Sequence, residues 1–108
     1  MNKIFLAGPI SGVAADVAER EFGKYEDELI SRGFSVYNPI RELRNAGMLD
    51  AAWHEILRFS LKHMMADCKE LHLLPGWQKS KGAVIEHDLA NALQIPIFYL
   101  EAEESISA

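Results

Sequence analysis

Only one cysteine, Cys68, occurs in the 108 residues, so the chain can form no intrachain disulfide and no zinc knuckle built from thiols. Cys68 falls on an expected helix among Met64, Met65 and Leu71, where a buried, unreactive thiol is the expectation. No apolar run reaches the length of a membrane span. The opening stretch from Met1 to Gly8 is too short for a signal peptide and reads as a strand, which makes the cytoplasm the expected compartment. Basic residues are a minority, 11 against 16 acidic ones for a net charge of −5. A broad surface for polymeric nucleic acid is therefore not expected, although local lysines can hold one small anion. His54, His63, His72 and His87 lack metal-binding spacing, and no metal or cofactor is expected.

With 49% hydrophobic and 25% charged residues, the composition is that of one globular domain with a modest core. The domain is expected over residues 1–100, followed by a flexible acidic tail over 101–108. Short apolar runs alternate with helical patterns. Lys3 to Ala7, Phe34 to Tyr37, Leu71 to Leu74 and Pro96 to Leu100 read as strands, stopped by Gly8-Pro9, Asn38-Pro39 and Pro75-Gly76 at the first three. Val13 to Arg32, Ala51 to Asp67 and about Lys81 to Leu93 read as three helices. The polar stretch from Arg41 to Asp50 reads as a loop. This alternation predicts an α/β fold, a doubly wound parallel sheet of the flavodoxin or Rossmann-like kind. Strand order 2-1-3-4 follows, with the first helix on one face and the other two opposite.

In that order the crevice lies between the first and third strands, beyond their carboxyl ends, where open parallel sheets bind ligands. Two loops meet there: Gly8-Pro9-Ile10-Ser11-Gly12, and Pro75 through Gly76, Trp77 and Ser80 to Gly82. Gly8, Pro9 and Pro75 are equally explained as strand-end punctuation. Ser80 has the place of an N-cap for the third helix. Free amides at that helix start, its dipole, Lys79 and Lys81 would favour an anion, and Gly82 would let it approach. A capped surface helix with two solvated lysines accounts for the same residues. Glu86 follows Gly82 by four positions and so shares its helix face. It reads either as a crevice carboxylate, ionised with help from the helix field, or as an exposed helical glutamate. Trp77 and Tyr37 are candidate stacking faces for a base, Trp77 as a pocket wall and Tyr37 with core packing as the alternative; Trp53 reads as core or surface and not as a ligand contact, His87 and Asp88 as surface.

The segments Ile4 to Gly12, Asn38-Pro39, and Leu73-Leu74-Pro75-Gly76-Trp77 followed by Ser80-x-Gly82-Ala83-x-x-Glu86 resemble the nucleoside 2-deoxyribosyltransferase-like superfamily, in particular its small phage and bacterial branch. The resemblance runs from Ile4 to about Tyr99. It implies cleavage of the N-glycosidic bond of a deoxynucleoside or its 5′-monophosphate. Glu86 would attack the anomeric carbon, giving a glycosyl-enzyme that water or another base resolves. Ser80 matches a phosphate-binding serine, and Gly8, Pro9, Ile10, Ser11, Gly12, Gly76, Trp77 and Gly82 match substrate-binding loops.

Two departures stand out. An arginine of the relatives' first loop is missing here, and their helical aspartate falls at Leu61. A non-catalytic nucleotide-binding or sensing module that uses the same crevice is therefore the alternative expectation. A homo-oligomer is also expected, since a small sheet needs its edges covered and relatives complete their sites from a neighbouring subunit.

Overall fold

Alternation in Lys3–Ala7 (β1) builds two cores at once. In the computed structural model, which describes residues 3–10 and 12–101, Ile4 and Leu6 join one apolar cluster. Phe5 and Ala7 join the other, as the two-residue period of a strand requires. β1 pairs in parallel with Ser35–Tyr37 (β2) on one side. On the other it pairs with Glu70–Leu73 (β3), which in turn pairs with Ile97–Tyr99 (β4), also in parallel. The order is β2-β1-β3-β4, the expected doubly wound arrangement.

Ala15–Ser31 (α1) buries Ala18, Phe22, Tyr25 and Leu29. These residues recur at intervals of three and four and so form one stripe. The stripe covers Ile4, Leu6 and Val36 on the first face. Trp53–Asp67 (α3) and Lys81–Ala92 (α4) cover the opposite face through Met64, Ala83 and Ala90. No helix among the described residues is long and apolar enough to cross a membrane.

The helix count corrects the sequence reading: there are four among the described residues, with Pro39–Asn45 (α2) occupying much of the expected loop. Pro39 does not stop structure here. It is the first helical residue, where a missing N–H costs nothing, and the Asn38 side chain accepts from the Ile40 amide at 3.0 Å. Asn38 also donates to Glu26 Oε1 at 2.9 Å, Arg41 pairs with Glu26, and Arg41 Nη2 donates to the Val36 carbonyl at 2.8 Å. This buried network ties α2 to α1 and β2. A one-turn 3-10 helix, Trp77–Lys79, leads into α4. The expected tail and Ser11 lie outside the described residues, apart from Glu101.

Candidate functional site

The carboxyl end of β1 opens into a cavity of about 300 Å³, at the lower end of the range for small-molecule sites. Ala7, at the end of β1, and Gly8 and Ile10, in the loop after it, border it on one side. One wall is apolar and comes from α2, the segment after it and α3: Pro39, Leu43, Leu49, Trp53, Ile56 and Leu57. Lys79, Ser80, Lys81, Gly82, Ala83 and Glu86 supply the other. One half thus suits a flat or greasy group and the other an anion.

Ser80 caps α4, accepting from the Ala83 amide at 3.2 Å. The remaining first-turn amides and the positive end of the helix dipole then stand beside Lys79 and Lys81 at the cavity wall. Gly82 has no neighbour closer than Trp53 Nε1, 4.0 Å from where a Cβ would lie, so the backbone there is approachable.

Glu86 sits one turn farther along, only 8% exposed. Among the described residues nothing donates a hydrogen bond to its carboxylate or pairs with it. Burial pushes its pKa up to about 8, because a largely buried carboxylate without donors is unfavourable when charged. Burial therefore opposes the ionised state expected from the helix field and favours the neutral acid. Desolvation outweighs a dipole whose effect fades after the first turn.

Ser60, 4% exposed, lines the same cavity. Nearby, the Tyr37 phenol is buried beside Ser60. Burial raises its pKa above the ordinary tyrosine value; Glu42 acts in the same direction, the Ser60 hydroxyl opposes it, and Cys68 and Glu86 add smaller increments. Tyr37 is a core residue, its ring stacked on Phe5 at 4.8 Å and 9°. Burial likewise raises the Cys68 thiol to about 11, with Lys3 opposing and Asp67 adding. It is the inert buried thiol expected.

The cavity gathers Gly8, Ile10, Lys79, Ser80, Lys81, Gly82 and Glu86 but not Pro9, Gly12, Gly76 or Trp77. Pro9 borders a separate cleft with Val17, Phe22 and Leu74 on the α1 face. Gly12 has open space around it, and Gly76, at φ +85°, starts the 3-10 turn against Pro9. Trp77 stands outside the wall. It stacks on His87 with centroids 4.7 Å apart and lies 5.8 Å from Tyr99, while His87 Nε2 and the Tyr99 hydroxyl are 3.0 Å apart.

Trp53, Ile56, Leu57 and Ser60 are the residues missed in the sequence. Their spacing of three, one and three places them on one face of α3, and that face borders the cavity rather than sealing the core. Leu61, where the relatives' aspartate would fall, packs against the second core cluster instead. Among the described residues no three His, Cys, Asp or Glu side chains group closely enough to hold a metal ion.

No curated protein matches the chain. A family profile does match, over residues 2–99, nearly the whole of the folded unit. The chain belongs to that family, described as a domain of unknown function, DUF4406.

Proposed function

We propose that this cavity takes a 2′-deoxynucleoside or its 5′-monophosphate, and that the chain cleaves the N-glycosidic bond or transfers the deoxyribosyl group. The observation that carries the reading is Glu86: a buried, unpartnered carboxyl on the wall of the cavity that also receives the Ser80-capped start of α4. An anion at the helix start and a sugar one turn farther along would bring an anomeric carbon towards that carboxyl. The resemblance to nucleoside 2-deoxyribosyltransferase-like proteins supports the same assignment.

In this mechanism the ionised Glu86 carboxylate first stabilises the oxocarbenium-like transition state, then bonds to C1′ as the C1′–N bond breaks. The bonding electrons leave with the base, which takes up a proton. Water or a second base then attacks C1′ and releases Glu86 as carboxylate. Glu86 must lose the proton that burial favours before it can attack. The positive charge that develops on the sugar as the glycosidic bond breaks acts in that direction.

A second reading, nucleotide binding or sensing without turnover, is favoured by one observation. Glu86 is the only carboxylate among the described residues lining the cavity, so no second acid stands ready to protonate a leaving base. Under either reading the ligand is a small molecule rather than a polymer. We place the protein in the cytoplasm as a homo-oligomer, consistent with the open edges of β2 and β4.

The test is release of free base from a panel of deoxynucleosides and their monophosphates, followed by chromatography. Wild-type protein should release base, and Glu86→Gln should bind the same ligand without releasing it. Saturable binding with no release from any substrate would replace the first reading with the second.

A further inference from the structure

Trp53 is a large aromatic residue that the core does not use. It is 40% exposed and joins neither apolar cluster, yet it borders the cavity beside Leu49, Ile56 and Leu57. The Lys81 ammonium lies 5.0 Å from the centre of its ring. Lys81 is also the first residue of α4, directly after the Ser80 cap, so one side chain is within reach of both the aromatic wall and the anion-favouring helix start. A Cβ added at Gly82 would lie 4.0 Å from Trp53 Nε1.

Resting on the nucleotide reading above, we propose that Trp53 is the stacking wall for the substrate's base, and that Lys81 covers this wall until a phosphate at the start of α4 draws the ammonium away. The physical order favours the exchange. Cation–π attraction at a partly exposed ring is weak, whereas an ammonium hydrogen-bonded to phosphate is charge-assisted on both sides. The apolar wall suits a flat ring, and a flat ring gains most from an offset stack on another aromatic face. Phosphate and base binding are then coupled through Lys81: a monophosphate uncovers the wall it needs, while a nucleoside has to displace Lys81 unaided. This makes Lys81 a residue of selectivity for the monophosphate as well as an anion contact.

The experiment measures binding in a Glu86→Gln background, which prevents turnover. Probes are the four 2′-deoxynucleoside 5′-monophosphates, the corresponding nucleosides, and 2-deoxyribose 5-phosphate. Calorimetry gives affinities. Intrinsic fluorescence in an added Trp77→Phe variant isolates Trp53, because the chain has only two tryptophans.

The monophosphate is expected to quench Trp53. Trp53→Ala should weaken its binding at least tenfold and Trp53→Phe only a few-fold, while 2-deoxyribose 5-phosphate binds all three alike. Lys81→Ala should move two affinities in opposite directions, weakening the monophosphate several-fold and tightening the nucleoside about twofold or more. If monophosphates bind but Trp53→Ala stays within twofold of its parent, or the nucleoside fails to tighten in Lys81→Ala, the inference falls and the nucleotide reading stands. If only nucleosides bind the parent protein, the inference falls and the nucleoside reading stands; if neither a monophosphate nor a nucleoside binds it, both fall together.

Discussion

Glu26 and Glu86 are equally buried, each 8% exposed, but only Glu26 has partners. Asn38 and Arg41 both donate to it, which satisfies a buried charge as stable folds require. Glu86 has neither a donor nor a cation among the described residues, and it borders a cavity. The first arrangement fixes α2 against α1. The second leaves an acid whose environment opposes its charge, the kind of poised group found where chemistry or ligand binding supplies the missing partner.

That contrast sets a pH dependence. Below about pH 4.5 Glu86 is protonated whether the chain is folded or not. Between there and its folded value of about 8, only the folded state keeps the proton. Unfolding then releases it, so stability falls as pH rises and levels off above about 8. At about 1.4 kcal/mol for each pH unit, the accumulated loss at pH 9 is at most several kcal/mol. Glu86→Gln removes this contribution. Urea midpoints from pH 5 to 9 should show a variant whose advantage over wild type grows with pH, and a pH-independent difference would contradict the buried, unpartnered carboxyl.

Ser80 has two roles that substitutions can separate. Ser80→Ala removes the cap on the Ala83 amide and should cost about 1 kcal/mol of stability. Ser80→Asp keeps a capping oxygen and suits the helix dipole, so stability should hold or rise slightly. It also puts a negative charge where an anion would dock. Monophosphate binding should therefore fall at least tenfold in Ser80→Asp, with the melting temperature unchanged or higher. Undiminished binding in that variant would move the anion site away from the helix start.

Much of this frame was legible in the residues, and the gaps have physical causes. Strand order followed from the alternation of apolar runs and helices, and the Gly82–Glu86 spacing put both residues on one wall. Pro39 was misleading because proline ends a strand and begins a helix equally well; only the Asn38 cap distinguishes the two. Trp53, Ile56 and Leu57 were misleading because periodicity reports an apolar face without saying whether a core or a cavity lies opposite. The protonation of Glu86 was out of reach for the same reason. Burial comes from tertiary packing around α4, which a local reading of that helix does not contain, and it overrides a local dipole argument.

Arg41 should be worth more than its partly exposed side chain suggests. Arg41→Ala leaves Glu26 buried with only Asn38 as donor and also removes the bond to the Val36 carbonyl. A loss of about 2 kcal/mol is expected. Adding Glu26→Gln should recover part of it, since the amide needs no countercharge. Because α2 carries Pro39 and Leu43 at the cavity, ligand affinity should fall in Arg41→Ala although Arg41 does not line the site. Denaturant unfolding of the two single variants and the double variant measures the coupling; additive effects would mean that the pair acts independently.

Gly8, at the border of the cavity, is also required for packing. A Cβ placed there would lie 2.8 Å from Leu74 Cβ, where the ends of β1 and β3 are drawn together by the Leu74 amide donating to the Ala7 carbonyl at 2.8 Å. Gly8→Ala should therefore destabilise by about 1–3 kcal/mol, the usual range for overpacking. The identity of the clashing atom sharpens the test. Leu74→Ala keeps its Cβ and so should not rescue Gly8→Ala; the double variant should be less stable than either single one, because it adds the loss of a buried leucine. Recovery of stability in that double variant would show that the side-chain tip sets the constraint, and that the two strand ends can separate without cost.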